Sequence, residues 1–177
     1  MLGILDADVS LYNSDYKSNE RTFQLVTQVA GRAGRKTNDG YVVLQTYAPK
    51  HYVYRYAVNY DYDGFYDKEI NLRQTTGFPP FSKILRILIT SISDNRAREV
   101  TKKIFDKANE LKLKYGKSII FLQAMPSPVK RIQTKYRYQI LTRFVPDDKI
   151  IKDFYNIADM IEKDVSIFVE VNPNNLR

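Results

Sequence analysis

The chain has 177 residues, 44% hydrophobic and 27% charged, which is enough for one ordinary domain or two small ones with a packed core. It has no cysteine, one histidine, no signal-peptide pattern at its start, and no apolar run near the roughly 20 residues of a membrane-spanning helix. These features exclude disulfides, cysteine-ligated zinc and histidine-rich metal sites within this sequence, so no metal site is expected, and the net charge of +8 indicates a polyanionic partner.

The first 48 residues predict a strand, a helix and a second strand. Apolar residues 2–5 are typical of a buried strand, and residues 9–18 are polar and predict no regular element. A capped helix is expected over about 20–33, and β-branched and aromatic residues predict a strand over 41–47. One such βαβ unit can cover only one face of its parallel sheet. We therefore interpret residues 1–48 as part of a larger α/β domain.

The next segment predicts a helical connector. Residues 49–77 are expected to form two helices, the second interrupted at Gly64 and ended by Gly77. The segment is rich in tyrosines, which can stack on nucleic-acid bases but more often pack as amphipathic residues in helices. The Phe-Pro-Pro-Phe sequence at 78–81 stiffens the chain, and we place a domain boundary after it. The connector therefore spans residues 49–81.

Residues 82–177 predict a second domain with the element order β-α-β-β-α-β. This order is that of the split-βαβ or ferredoxin-like fold, so the whole chain is predicted to combine α/β and α+β parts. A turn is expected at Ser127-Pro128, between the second and third strands. The expected elements are strands near 84–89, 118–123, 136–144 and 165–171, and helices near 95–113 and from Asp147 or Asp148 to about 161.

Basic residues are concentrated in one part of this domain. Residues 111–146 contain eight lysines and arginines and no acidic residue, so this stretch carries the entire net charge of +8. A basic patch beside a neutral remainder favours a nucleic-acid partner, although a solvated surface is the alternative. The residues proposed to contact DNA are Lys130, Arg131, Lys135, Tyr136, Arg137 and Tyr138.

The third predicted strand of the domain divides these candidates between two faces. Alternation places the two tyrosines on one face and Arg137 on the other. The tyrosines therefore either pack against the helices as core residues or face DNA, and the sequence leaves both possibilities open. Lys130, Arg131 and Lys135 are expected in a loop before or at the start of the strand, where side chains are exposed.

Residues 28–35, Gln-Val-Ala-Gly-Arg-Ala-Gly-Arg, form the most informative motif. On a helix, Gln28, Arg32 and Arg35 share one face. The two glycines each cost about 1 kcal/mol relative to alanine, which is explained if another backbone or a phosphate approaches there. Arginine presents a planar fork that matches phosphate oxygens and can neutralise a transferring phosphoryl group. The alternative is a surface turn whose arginines pair with local acids.

This motif resembles the last conserved motif of superfamily-two helicases, Gln-x-x-Gly-Arg-x-Gly-Arg. Further segments resemble one family within it, the primosomal replication-restart helicases, and the resemblance covers nearly the whole chain. The segments that carry it are residues 3–8, 20–25, 61–62, 65–66, 72–73, 77–81, 126–128 and 136–139.

The resemblance implies a 3′ to 5′ DNA helicase that reloads the replication machinery at stalled forks. Residues 1–48 would end the second helicase lobe, with Gln28, Arg32 and Arg35 facing ATP on the first lobe. Residues 82–177 would be the carboxy-terminal DNA-binding domain. The implied partners are branched or single-stranded DNA, single-stranded-DNA-binding protein and primosome proteins, in the cytoplasm and without a membrane.

The chain departs from the family pattern in three ways. It lacks the phosphate-binding loop, the acidic metal-binding box of the first lobe and the zinc-binding cysteines. ATP, Mg²⁺ and zinc would therefore be held by upstream residues of the intact protein, and this chain alone is expected to bind no cofactor and to hydrolyse no ATP. The alternative function is a stand-alone nucleic-acid-binding or protein-interaction module.

Overall fold

The computed structural model describes residues 2–12, 15–33 and 41–173, and its contacts divide the chain into two compact units. The first unit is Met1–Thr75 and the second is Thr76–Arg177, each with its own hydrophobic core. The boundary between the units falls inside the predicted connector, residues 49–81. The connector's two helices lie almost entirely in the first unit, and its Phe-Pro-Pro-Phe sequence lies in the second. None of the helices within the described ranges is long and apolar enough to cross a bilayer.

Over its described residues, the first unit contains two short parallel strands and four helices. As predicted, the strands are hydrogen-bonded neighbours with a helix between them in sequence. A short helix in the stretch predicted to be irregular was not anticipated. The elements are β1 (Leu2–Ile4), α1 (Asp8–Leu11), α2 (Ser18–Ala33), β2 (Val42–Leu44), α3 (Tyr52–Val58) and α4 (Tyr62–Thr76).

Helix α2 covers one face of the β1–β2 sheet. Its residues Phe23 and Val26 join a core with Ile4, and the flanking strand residues Val42 and Leu44 pack against it. On the opposite face Val43 is 56% exposed, so within the described residues this face of the sheet is uncovered. A single βαβ unit has one crossover helix, so only one face of its parallel sheet is expected to be covered.

Helices α3 and α4 complete the same core. Phe65 of α4 stacks on Phe23 with ring centroids 4.4 Å apart, and Val53 and Ala57 of α3 are fully buried. The predicted interruption at Gly64 is wrong, because α4 is continuous from Tyr62 to Thr76. Gly64 lies in the first turn, where its N–H donates to Asp61 Oδ1 at 2.9 Å.

The connector tyrosines divide between packing and exposure. Tyr54 is buried and Tyr52 packs against the core, which is the packing role that helices favour. Tyr60, Tyr62 and Tyr66 are each more than half exposed. The tyrosines of α3 therefore pack against the core. Those in the α3–α4 turn and in α4 are mainly exposed to solvent.

The second unit has the predicted order β-α-β-β-α-β. Its four strands form one antiparallel sheet in the spatial order β4-β5-β3-β6, which is the ferredoxin-like arrangement, and this prediction is confirmed. The α+β class of this part of the chain follows from it. The elements are β3 (Lys83–Ser91), α5 (Asp94–Tyr115), β4 (Ile119–Ile132), β5 (Lys135–Phe144), α6 (Asp148–Ala158) and β6 (Val165–Val171).

Alternation along the strands separates the two faces of this sheet. Leu85, Ile87 and Ile89 of β3 are fully buried against α5 and α6, and Phe144 stacks on Phe154 of α6 at 6.4 Å. The intervening residues of each strand point to the other face, which we call the open face, because none of the described helices of this unit packs on it. Arg86 and Gln139 on this face are nevertheless buried. The sheet can therefore present polar side chains there without disturbing its core.

The predicted turn at Ser127-Pro128 is wrong. Strand β4 continues to Ile132, and the hairpin turn lies at Gln133–Thr134, where Gln133 has a φ of 56°. Because the register shifts between Pro126 and Arg131, the intervening residues bulge out of the ladder. Pro128 therefore needs no ladder hydrogen bond, which is why a proline is tolerated on this edge strand.

Replacing Asp147 by alanine should destabilise the second unit by about 1 kcal/mol, because Asp147 caps α6 as predicted. Its Oδ1 accepts a hydrogen bond from the Lys149 N–H at 2.8 Å. Urea unfolding followed through the NMR signals of β3 would measure the loss. Asp106→Ala, at an exposed position within α5, is the matched control and should change stability by less than about 0.5 kcal/mol. Equal effects of the two substitutions would contradict the capping role.

Candidate functional site

Helix α2 presents the arginine motif to solvent. Gln28 and Arg32 are one helical turn apart and both exposed, so they share a face as predicted. None of the ion pairs between described residues involves Arg32. A Cβ built on Gly31 would meet no atom within 4 Å, so the surface beside Arg32 is open to a ligand. Arg35 lies outside the described residues.

The amino-terminal half of α2 is fixed by a buried arginine from α4. The Arg73 side chain is only 10% exposed and forms ion pairs with Glu69 at 3.0 Å and with Glu20 of α2 at 2.8 Å. Its guanidinium also donates to the Tyr16 backbone oxygen at 3.0 Å and lies over the Tyr16 ring. One cation therefore connects α4 to the start of the motif helix.

The same cluster reaches α3 through Glu69. The Tyr52 hydroxyl donates to Glu69 Oε2 at 2.6 Å, and the Asn19 amide donates to both Glu69 and the Tyr52 hydroxyl. Burial raises the pKa of Tyr52, and its hydrogen bond to Glu69 raises it further. We call this cluster the α4 network. It consists of Tyr16, Asn19, Glu20, Tyr52, Glu69 and Arg73.

A second buried carboxylate fixes the end of β2. Asp8 accepts hydrogen bonds from the Thr46 hydroxyl, the Tyr47 N–H and the Tyr54 hydroxyl, at 2.7, 2.6 and 3.0 Å. Burial alone would raise the pKa of Asp8, but these three donors outweigh it, and the net effect lowers that pKa. Burial raises the pKa of Tyr54 to about 12. Asp8 therefore has a structural role, which its position after the first predicted strand did not reveal.

The proposed DNA contacts lie on a β-hairpin. We call residues 126–137 the basic ribbon. Lys130 and Arg131 are exposed on β4 and not in a loop, so that part of the prediction is wrong, and Lys135 is exposed at the start of β5 as predicted. Arg131 pairs across the ribbon with Tyr136, and its guanidinium lies 5.0 Å from the centre of that ring. The stacking holds the cation in place on the ribbon surface.

Tyr138 faces the helix layer. Its hydroxyl donates to Asp94 Oδ1 at 2.7 Å and accepts from Arg98 Nε at 2.8 Å, both at the start of α5. Burial raises the pKa of Tyr138, and the bond to Asp94 adds to the effect. These contacts favour the packing role that the sequence left open, while a DNA contact by Tyr136 or Tyr138 stays a prediction.

Arg137 lies on the open face, opposite the tyrosines, as alternation predicted. Burial lowers the pKa of Arg137, and the nearby Arg86 guanidinium lowers it further. Arg86 is itself paired with Glu170 of β6 at 2.6 Å. At the far end of the face, the Arg143 guanidinium lies 4.3 Å from the centre of the Phe78 ring. The open face therefore carries three arginines, one of which is neutralised by a carboxylate.

Sequence reasoning missed several polar residues of this face. Arg86 interrupts the apolar run from Ile84 to Ile89, and Gln139 is buried with its Oε1 lacking a hydrogen-bond partner among the described residues. The period-two alternation of β3 and β5 could have placed Arg86, Gln139 and Arg143 together. Within the described residues, no group of three or more potential ligands could hold a metal ion.

Comparisons with known proteins identify the family. Residues 74–174 match the family described as "Primosomal protein N C-terminal domain". The chain is 33% identical over 98% of its length to "Replication restart protein PriA" of Bacillus subtilis (strain 168), and it covers 22% of that relative. The protein of the same name from Synechocystis sp. is 34% identical over 98% of the chain, which covers 20% of it.

A solved structure resembles part of the chain. A designed protein with a ferredoxin fold is 16% identical, covers 53% of this chain and 87% of its own, and gives a TM-score of 0.40. The chain spans about a fifth of the length of the curated relatives it matches. Because the family match extends over more than half of its residues, the chain belongs to the primosomal protein N family, whose relatives named here are replication restart proteins.

Proposed function

We propose that the chain is the carboxy-terminal part of an ATP-dependent 3′ to 5′ DNA helicase. The intact protein would recognise stalled or branched replication forks in the cytoplasm and restart replication by assembling a primosome. Membership of the primosomal protein N family and relatives named as replication restart proteins support this proposal. The proposed partners are branched or single-stranded DNA, single-stranded-DNA-binding protein and primosome proteins.

The single observation that carries the DNA-binding part is the acid-free charge of the basic ribbon. Lys130, Arg131 and Lys135 are exposed together on one hairpin within a stretch that has no acidic residue. Phosphates attract such a surface without regard to base sequence. Because phosphate contacts carry no sequence information, DNA shape is the proposed basis of recognition.

The proposed motor contribution of the chain is its motif helix. Gln28, Arg32 and Arg35 would face a nucleotide held by a preceding lobe, and Arg32 would neutralise charge on the transferring phosphoryl group. The solvent-facing position of Gln28 and Arg32 supports this role. ATP, Mg²⁺ and zinc would be bound mainly by residues of the intact protein that this sequence does not contain.

Replacing Lys130, Arg131 and Lys135 together by alanine should weaken binding to single-stranded DNA roughly 100-fold at 0.1 M salt. Each phosphate contact contributes about −0.7 to the slope of log K against log salt, so the slope should become shallower by about 2. Fluorescence anisotropy with a labelled oligonucleotide at four salt concentrations measures both quantities.

A matched triple variant controls for net charge. Lys102→Ala, Lys107→Ala and Lys149→Ala remove the same number of cations from exposed helix positions of the same unit. This variant should retain binding within about threefold and keep the salt slope. Equal losses in the two variants would show that general charge and not the ribbon attracts DNA.

A stand-alone binding module is the second candidate, because the second unit has a core of its own. Residues 76–177 produced alone would separate the two ideas. If they bind forked DNA as tightly as the whole chain, the first unit contributes nothing to binding. A loss of more than about tenfold would favour the helicase fragment, whose units act on DNA together.

A further inference from the structure

The end of the basic ribbon extends beyond the rest of the sheet. Strand β3 pairs with β5 only as far as Tyr136, so the last pair of the hairpin, Ile132 with Lys135, and the two-residue turn have no partner in β3. A free two-stranded end can enter a groove or a gap that a broad sheet cannot. The tip of the ribbon therefore lies beyond the last pair of β3 and also carries a basic surface.

Two apolar side chains of the ribbon are exposed, Ile132 at its end and Val129 in the bulge before it. Val129 is 40% exposed and Ile132 is 47% exposed, although neighbouring positions of the ribbon are cationic. Val129 belongs to the bulge between Pro126 and Arg131, and Ser127 at the base of that bulge is almost fully buried. Bulges change the direction in which side chains project.

Both side chains are branched at Cβ. Such side chains have few accessible rotamers, so holding them against a ligand costs little conformational entropy. Rigid apolar side chains on a cationic surface suit a ligand that offers phosphates and apolar faces together. The faces of bases have this character, but in a continuous duplex they are hidden by stacking, whereas at a branch point they are exposed.

We propose that Val129 and Ile132 contact the exposed base faces at the branch point of a DNA fork, with Lys130, Arg131 and Lys135 holding the adjoining phosphates. The proposal rests on the DNA-binding function proposed above and adds the means by which a junction is preferred over a linear strand. Apolar side chains inserted at a base step also unstack that step, which makes the contact detectable.

The test uses the whole chain carrying Val129→Ser and Ile132→Ser. Its matched control carries Val145→Ser and Ile120→Ser, which change the same residue types at similar exposure, 48% and 42%, beside the other end of β5. Each protein is titrated into a fork with 2-aminopurine at the junction, and into the linear single strand. Urea unfolding confirms that both variants are folded.

Wild type and control should raise 2-aminopurine fluorescence about twofold, because unstacking relieves quenching. The ribbon variant should not show this rise in fluorescence, and its ratio of fork affinity to single-strand affinity should fall about tenfold. Its affinity for the linear strand should stay within about threefold of the wild-type value. A ribbon variant that keeps both the rise and the preference overturns the proposal. The triple alanine variant of Lys130, Arg131 and Lys135 then distinguishes two failures. If this triple variant also binds DNA normally, both the proposed DNA-binding function and the base contact are wrong. If the triple variant loses DNA binding, only the base contact is wrong.

Discussion

Under the proposed motor function, replacing Arg32 by alanine should lower DNA-stimulated ATP turnover roughly 10³-fold in a chimera that carries this chain in place of the matching segment of the Bacillus subtilis relative. An arginine that meets the transferring phosphoryl group stabilises charge that develops mainly in the transition state. The loss should therefore fall on kcat, with little change in the KM for ATP. A coupled assay over a range of ATP concentrations separates the two.

Two further variants make this prediction sharper. Arg32→Lys keeps the charge but loses the planar fork, so its turnover should lie between those of wild type and Arg32→Ala. Arg55→Ala removes an exposed arginine of α3 and should leave turnover unchanged. DNA affinity should be the same in all four proteins. Turnover of the Arg32→Ala chimera within about threefold of wild type would exclude a role for this side chain at the phosphates.

Replacing Arg73 by alanine should destabilise the first unit by about 3–5 kcal/mol, because it leaves the buried Glu69 carboxylate without its cation. A loss of this size is comparable to the whole stability of a unit with about 75 residues, which is roughly 4–11 kcal/mol. Hydrogen exchange of the α2 amides should accelerate first, since Glu20 and Tyr16 lose their partner at the start of that helix.

The destabilisation can be separated from a general effect of substitution in α4. Lys68→Ala changes an exposed neighbour in the same helix and should alter stability by less than about 0.5 kcal/mol. Combining Glu69→Gln with Arg73→Met removes both charges and should recover part of the loss, because no unpaired charge remains buried. A double variant no more stable than Arg73→Ala would contradict the electrostatic explanation.

The second unit was predictable because its signals are local and repeated. The apolar, β-branched residues of β3 and the apolar stripe of α5 predicted their elements directly. The β-α-β-β-α-β order then restricts the sheet to few topologies, of which the ferredoxin-like one is observed. The sequence also limited the cap of α6 to Asp147 or Asp148, of which Asp147 is the observed one, since an acidic residue before an amphipathic run is a common helix start.

The errors arose where tertiary structure overrides a local signal. Ser127-Pro128 has the composition of a turn, but a bulge on an edge strand accommodates the same residues. Gly64 was expected to break α4, but a glycine in the first turn of a helix breaks no hydrogen bond. Arg73 and Glu69 resemble an ordinary surface pair at i and i+4, and only the packing of three helices buries them.

The candidate site was predictable in its residue types more than in its geometry. Spacing placed Gln28 and Arg32 on one face of a helix, and the face is exposed. Their role at a nucleotide stays a prediction, because the ligand would be held by residues that this sequence does not contain. Charge counting located the basic ribbon, but it could not show that Tyr138 faces α5.

The position of β4 at the edge of the sheet gives the cations of the ribbon a second effect. An unpaired strand edge can add a strand from another molecule and so begin aggregation. Lys130, Arg131 and the bulge beside them oppose such pairing by repulsion and by irregular shape. Removing charge from this hairpin should therefore also make the molecule more prone to self-association, whatever ligand the hairpin binds.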